Sequence, residues 1–234
     1  MQHVLIMGTV RSGISALLDV FTASGFYDLD WGFPDGQLSP TNKVNNALIS
    51  QVMEAQIWNF EKQTEWLAVL YRDVVLPKLQ EAPYPRYREL FKEKPLCLKD
   101  PRFSFTLPAW SEWIPADTQK IVMFRHPVDY LRSIWAGIND KQWETTKNAE
   151  AMCRSWNSHY EHIMAQDDGS FIYLPLDSLV NGKAFQLLSG YFGDLRKEKI
   201  DQNLIHQQSD SISVPYICRP VWQGLNAKWS NYKL

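Results

Sequence analysis

The chain has 234 residues, of which 45% are hydrophobic and 21% are charged, and its formal net charge is -2. This composition is that of an ordinary soluble globular protein with enough length for one substantial core, and we predict a single domain over residues 1–234. The near-neutral charge argues against a nucleic acid as the main partner, because proteins that bind the phosphate backbone normally carry a basic excess.

The three cysteines, Cys97, Cys153 and Cys218, lie far apart in the sequence. This spacing and odd number predict reduced thiols in a cytosolic protein rather than a disulfide framework or a metal site. No apolar run approaches the roughly 20 residues that span a bilayer, and the first residues lack the features of a signal peptide. We therefore expect a cytoplasmic protein without a membrane span.

The first predicted elements are a buried strand, a glycine turn and a helix within residues 3–21. Residues 4–7 form the short apolar run that a parallel strand covered on both faces requires. Gly8 and Gly13 allow the backbone to curl, so that N–H groups and the positive end of the helix point at one anion site. After Gly13, apolar residues follow the helical spacing i, i+3, i+4, i+7: Ile14, Leu17, Leu18 and Phe21.

The spacing of Gly8 and Gly13 nearly satisfies the P-loop pattern of nucleoside triphosphate-binding proteins, but Ile14 stands where that pattern requires lysine. Without this cation, a kinase or ATPase loses the group that reaches the β- and γ-phosphates. The turn instead carries three other side chains that suit an anion: Arg11, Ser12 and Ser15. We predict a site for a doubly anionic group attached at one phosphate. A strand-turn-helix with an incidental glycine pair is the plainer interpretation, and these three side chains disfavour it.

The next part of the chain is expected to be less regular. Residues 25–41 are rich in Gly, Pro, Asp and Ser and predict a loop, which carries the carboxylates Asp28 and Asp30 beside the anion loop. From about residue 43 to 79, apolar residues recur at helical spacing and predict one long helix or two consecutive ones. Residues 81–94 contain prolines and several charges and predict a connecting loop.

Strand and helix patterns then alternate. Strands are predicted at 95–99, 120–125 and 171–176, and helices at 103–113, from 127, at 147–166 and around 185–192. The last 40 residues are weakly patterned and predict a loop-rich tail over 194–234. The alternation predicts an α/β fold with a central parallel sheet flanked by helices.

Three predicted strands are followed by a cation: Arg11 lies in the loop after the first, Lys99 ends the second and Arg125 ends the third. Because the carboxyl ends of parallel strands meet at one edge of a sheet, these charges can converge on one polyanion. Each of them, taken separately, is also compatible with an ordinary surface charge.

Two motifs resemble those of one enzyme family. The sequence Gly-Thr-Val-Arg-Ser-Gly-Ile-Ser at 8–15 resembles the 5'-phosphosulfate-binding loop of the sulfotransferases that use 3'-phosphoadenosine-5'-phosphosulfate (PAPS). Residues 125–133 resemble their 3'-phosphate-binding motif, an arginine at a strand end followed eight residues later by a serine on the next helix. Residues 172–193 are similar to the family's C-terminal half. The match spans residues 3–193, although 27–94 and the tail align only loosely.

The resemblance implies a P-loop-like three-layer sandwich and two anion sites, one for each anionic end of PAPS. The 3'-phosphate would be held by Arg125 and Ser133 through charge-assisted and hydroxyl hydrogen bonds. No metal is expected. The 5'-phosphosulfate would be held by the loop residues Gly8, Thr9, Arg11, Ser12, Gly13, Ile14 and Ser15.

The resemblance also implies a reaction, the transfer of a sulfuryl group to a hydroxyl or amine of a small-molecule or carbohydrate acceptor. Lys99 matches a lysine of the tyrosylprotein branch that lies near the transferring group, and with Arg11 it would stabilise charge on the leaving phosphate. The histidine that many cytosolic members carry after this lysine is absent. We expect Asp30 to be the general base, with Asp28 or Asp100 as the next candidates. Alternatively, Asp100 has a structural role.

The acceptor side is the least constrained part of the sequence, and residues 27–94 are expected to be an acceptor-side insertion. Stacking in an acceptor pocket and packing in the core explain its aromatic residues equally well: Trp31, Phe33, Trp58, Trp66, Tyr84 and Tyr87.

Two other functions stay open. One is a P-loop nucleotide or small-molecule kinase, which would need a displaced lysine and a magnesium site. The other is a non-catalytic nucleotide-binding descendant of the sulfotransferase fold, suggested by Ile14 in place of the family's usual threonine and by the missing histidine.

Overall fold

The computed structural model describes residues 2–28, 41, 43–45, 48, 79, 87–137, 146–200 and 213–232. Within these residues, five parallel strands form one sheet in the order β2-β3-β1-β4-β5. In chain order the strands are β1 Val4–Gly8, β2 Tyr27–Asp28, β3 Leu96–Lys99, β4 Gln119–Phe124 and β5 Ile172–Pro175.

Helices connect the strands and cover both faces of the sheet. Their bounds are α1 Ile14–Ala23, α2 Tyr87–Glu93, α3 Phe103–Thr106, α4 Pro127–Gly137, α5 Thr146–Gln166, α6 Leu176–Val180, α7 Lys183–Phe192 and α8 Arg219–Ser230. Residues 41, 43–45 and 48 are also helical. None of these described helices combines the length and the apolar character that crossing a membrane requires.

Alternate side chains of each strand face opposite sides of the sheet, which produces two separate apolar layers. On one face, Val4 and Ile6 pack with apolar residues of α1 and α7. On the other face, Leu5 and Met7 pack with residues of α3, α5 and α8. A sheet between two helical layers is the predicted α/β three-layer sandwich, and the prediction of the fold class is confirmed.

The predicted connecting loop at 81–94 is wrong for residues 87–93, which form α2. Phe91 anchors this helix in the core and its ring meets the ring of His3 edge-on, with 4.8 Å between the centroids. Glu89 in the first turn and Lys92 in the last turn complement the helix dipole. The charges of this segment therefore belong to a surface helix rather than to a loop.

Two other segments differ from their predictions, one through strand pairing and one through a proline. The predicted loop at 25–41 contains β2, which pairs with β3 at the edge of the described sheet. The predicted helix over 103–113 is α-helical only in α3 and continues as a 3-10 helix over Leu107–Trp110, where Pro108 cannot donate an α-helical hydrogen bond.

The predicted loop-rich tail is wrong for residues 219–230, which form α8. Val221 and Leu225 lie one helical turn apart and are buried against the sheet. The far end of the helix is fixed where Lys228 Nζ donates to Asp167 Oδ2 at 2.6 Å, and Asp167 is itself buried. This helix is held by tertiary contacts, and two buried residues in twelve give only a weak sequence signal.

Candidate functional site

The site is built at the carboxyl ends of three neighbouring strands. β1 lies between β3 and β4, so the loop after β1 is flanked by Lys99 at the end of β3 and by Arg125, which directly follows β4. Arg11 is exposed, whereas Lys99 and Arg125 are half-buried. The sheet therefore places all three predicted cations at one edge.

The loop after β1 has a strained backbone. Gly8 and Gly13 have φ angles of 148° and 98°, and a Cβ at Gly8 would overlap the carbonyl oxygen of Met123. Arg11 has a φ of 62° and is the one non-glycine residue with a positive φ in the part of the chain that the structure describes. The left-handed conformation costs such a residue about 1–2 kcal/mol, and strain of this kind clusters at functional sites.

The amino end of α1 faces the loop, and the positive end of the helix dipole there is suited to an anion. Gly13 caps the helix without a side-chain hydrogen bond, and no acidic residue lies in the first turn. Ile14 is buried and packs in the core between α1 and the sheet, whereas Ser15 is exposed. The position where Ile14 departs from the P-loop and from the sulfotransferase pattern thus points into the core.

Two of the predicted anion-binding hydroxyls are used in hydrogen bonds that hold the loop in place. Ser12 Oγ donates to the Thr9 carbonyl oxygen at 2.6 Å, which uses its only proton. The Tyr160 hydroxyl donates to the Met123 carbonyl oxygen at 2.9 Å, so at its 3.2 Å contact with Thr9 Oγ1 it must be the acceptor. Thr9 and Ser12 are both buried, and their hydroxyls fix the shape of the loop.

Two other serine hydroxyls at the site accept hydrogen bonds from cations. Ser15 Oγ accepts a hydrogen bond from Lys99 Nζ at 3.4 Å, and Ser133 Oγ accepts one from Arg11 Nε at 3.0 Å. An accepted bond leaves the hydroxyl proton of each serine for donation to an anion. The second bond also joins the two sequence motifs directly, although its partners are 122 residues apart.

The pKa of Arg125 is affected by burial and by nearby charges of both signs. Burial lowers its pKa, Asp129 and Asp177 act against this effect, and nearby Arg11 lowers the pKa further. A bound anion would offset both the burial and the repulsion between the two guanidinium groups. Next to it, His126 Nδ1 accepts the Val128 N–H at 3.3 Å, and the His126 ring packs edge-on against Trp222 with 5.0 Å between the centroids.

Asp100 is buried and engaged by Arg102. Arg102 Nε and Nη2 donate to its two carboxylate oxygens at 2.8 and 2.7 Å, and the Arg102 backbone N–H donates to Oδ1 at 2.8 Å. This arrangement fixes the turn that follows Lys99. The geometry matches the structural alternative for Asp100, because its carboxylate is turned away from solvent.

Among the described residues, Asp28 is the carboxylate on β2, the strand that pairs with β3, and β3 ends at Lys99. Asp28 pairs in register with Cys97, two residues before Lys99. Burial raises the pKa of the Cys97 thiol, Asp28 raises it further and Lys99 lowers it, so both charges act on the same thiol. Asp30 and the aromatic residues 31, 33, 58, 66 and 84 lie outside the described residues, and Tyr87 begins α2.

Tyr160 is the residue at this site that sequence analysis missed. It lies on α5 within the predicted helix at 147–166, on the same buried side as Trp156 and Ile163, and its ring is fully buried. The available signal was the hydroxyl, because a buried tyrosine usually finds a hydrogen-bond partner. The sequence did not indicate that the partner would be the anion loop.

The fold resembles that of solved sulfotransferase domains. The sulfotransferase domain from the Synechococcus PCC 7002 olefin synthase is 14% identical with a TM-score of 0.56, and the match covers 100% of this chain and 96% of that one. The sulfotransferase domain from the curacin biosynthetic pathway is 15% identical with a TM-score of 0.51, and the match covers 97% and 98%. No family model matches the chain, and no curated protein matches its sequence. In fold, the chain is a sulfotransferase-like α/β domain.

Proposed function

We propose that this protein is a PAPS-dependent sulfotransferase that modifies a hydroxyl or amine of a small-molecule or carbohydrate acceptor. The observation that carries the proposal is the Arg11–Ser133 hydrogen bond, because it joins the 5'-phosphosulfate-like loop to the 3'-phosphate-like motif at one edge of the sheet. The sulfotransferase fold and the uncapped amino end of α1 support it.

Each end of the donor has its own set of groups. Arg11, Ser15 and the N–H groups at the start of α1 would bind the 5'-phosphosulfate, and Thr9 and Ser12 would hold the loop in shape. Arg125 and Ser133 would bind the 3'-phosphate. The fit is chemical as well as spatial, since both serines accept from a cation and keep a proton for the phosphate oxygens.

In the reaction, a bond forms between the acceptor oxygen or nitrogen and sulfur while the bond from sulfur to the 5'-phosphate oxygen breaks. Lys99 would stabilise the negative charge that develops on this leaving oxygen. The acceptor proton passes to a carboxylate, for which Asp28 is the candidate among the described residues and Asp30 stays a prediction. Asp100 would position Lys99 through its clamp with Arg102.

The position of Ile14 weighs against a kinase. A P-loop kinase needs a lysine at this point of the loop, and the side chain here is buried in the core. ATP-dependent phosphorylation by the purified protein without any response to PAPS would nevertheless overturn the proposal. Binding of adenosine 3',5'-bisphosphate without turnover of any acceptor would indicate the non-catalytic descendant.

The test separates donor binding from turnover. Titration calorimetry with adenosine 3',5'-bisphosphate should show a loss of about 10- to 100-fold in affinity for Arg125→Ala, because the charge-assisted contact of a half-buried arginine disappears. Lys99→Ala should lower turnover with radiolabelled PAPS by about 100-fold while it changes this affinity little. Equal losses of affinity in the two variants would contradict the assignment.

Two exposed basic residues away from the proposed site serve as controls. Lys94→Ala removes an exposed lysine just before the opposite end of β3, where its ammonium stacks on Tyr27 at 4.4 Å. Arg154→Ala removes an exposed arginine of α5 that pairs with Glu150. Both variants should bind the bisphosphate as the unaltered protein does.

A further inference from the structure

One buried hydroxyl, that of Tyr160 in the second half of α5, contacts both the loop after β1 and the end of β4, which carry the two predicted anion sites. Its ring is fully buried and meets the ring of Trp156 edge-on, with centroids 4.8 Å apart. Burial raises the pKa of Tyr160 to about 12, so the hydroxyl keeps its proton at neutral pH. The hydroxyl therefore acts as a fixed hydrogen-bonding group.

On the loop side, Tyr160 holds Thr9. The Thr9 backbone N–H lies 3.5 Å from the tyrosine oxygen and the Thr9 hydroxyl 3.2 Å, and both donate to it. Ser12 in turn donates to the Thr9 carbonyl oxygen. The residues between Gly8 and Arg11 are thus fastened to α5, directly before the strained residue that contacts Ser133.

On the strand side, Tyr160 donates to the Met123 carbonyl oxygen at 2.9 Å. Met123 is the register partner of Gly8, and it precedes Arg125 by two residues. The same hydroxyl therefore ties the end of β4, and with it the 3'-phosphate motif, to the loop after β1. Its one proton and two acceptor positions are all used in these contacts.

We infer that Tyr160 is a positioning residue that sets the relative placement of the two anion sites and thereby the affinity for the donor nucleotide. The inference rests on the proposed function. Removal of the hydroxyl leaves buried groups of the loop and of β4 without their partner, and the loop loses the contact that selects its anion-binding shape. The donor affinity should fall while Lys99, which contacts Ser15 instead, keeps its place.

The test compares two substitutions of tyrosine by phenylalanine. Tyr160→Phe should weaken binding of adenosine 3',5'-bisphosphate, and raise the KM for PAPS, about tenfold while kcat stays within about threefold. Tyr173→Phe is the matched control, because it removes a buried hydroxyl that donates to Asp167 at 3.1 Å near the start of β5. Both variants should lose similar stability in urea, and only the first should lose affinity.

The outcomes separate the inference from the proposed function. If the unaltered protein does not bind the bisphosphate, both fall. If it binds and the two variants bind alike, only the role of Tyr160 is refuted. Should Tyr160→Phe fail to fold, Thr9→Val breaks the same contact from the loop side and should lower the affinity in the same way. Unchanged affinity of that variant would equally refute the inference.

Discussion

Because Arg11 has a left-handed conformation, we predict that its replacement by glycine and its replacement by alanine differ in their effect on stability. Arg11→Gly and Arg11→Ala both remove the guanidinium and its hydrogen bond to Ser133. At a φ of 62°, alanine pays about 1–2 kcal/mol that glycine does not, while glycine costs up to about 1 kcal/mol more in chain entropy. The glycine variant should therefore be the more stable one by about 1 kcal/mol.

Differential scanning calorimetry can resolve this difference, because 1 kcal/mol shifts the Tm by about 2–4 °C in a protein of this size. Calorimetric titration with adenosine 3',5'-bisphosphate supplies the functional half, and both variants should lose affinity equally, by about tenfold or more. Equal Tm values for the two variants would refute the strained backbone. Full affinity of either variant would refute the role of the Arg11 side chain.

Arg154 provides a control at which the alanine variant should be more stable than the glycine variant. It lies inside α5, is 60% exposed and pairs with Glu150 at 2.6 Å. In a helix interior glycine is less stable than alanine by about 1 kcal/mol, so Arg154→Gly should melt below Arg154→Ala. The order of the two substitutions should thus invert between the helix and the loop, with no change of bisphosphate affinity in either Arg154 variant.

Two further predictions concern buried ionisable groups. Asp100→Asn and Arg102→Gln break the same clamp, so each should cost about 3 kcal/mol in urea unfolding and lower turnover to a similar extent; a far larger loss of turnover in Asp100→Asn alone would instead mark Asp100 as the base. Burial lowers the pKa of His159 to about 4. Since the unfolded state then binds the extra proton, stability should fall by about 3 kcal/mol as the pH drops from 6.5 to 4. His159→Gln should flatten this slope in pH-dependent unfolding, and an unchanged slope would contradict the assignment.

The sequence was sufficient for four of the five strands that the structure describes and for the convergence of the three cations. Buried parallel strands are continuous apolar runs, and their carboxyl ends share one edge, so Arg11, Lys99 and Arg125 were expected to lie together. Sequence analysis could not predict the contact of Arg11 with Ser133. That contact depends on a left-handed residue in the loop and on a side-chain rotamer, and neither has a signal in residue spacing.

The missed helices have a different physical cause. α2 and α8 are short, carry many polar residues and are held by a few buried anchors such as Phe91, Val221 and Leu225. Tertiary packing supplies most of the stability of such helices, and local periodicity is then weak. The same limit applies to the carboxylates, because sequence named Asp28 and Asp100 as equals and only the clamp by Arg102 distinguishes them.

The hydrogen bonds of the loop hydroxyls indicate what the replacement of the family's usual threonine by Ile14 affects. A threonine at this position would point its side chain into the apolar layer between α1 and the sheet, where Ile14 now packs. In the proposed site, the hydroxyl protons for the anions would come instead from Ser15 and Ser133, each of which accepts a hydrogen bond from a cation. The departure from the pattern of the resembled family therefore alters the packing beneath the loop rather than the groups that we propose to bind the donor. Its main consequence is for stability, since burying isoleucine in place of threonine favours the folded state.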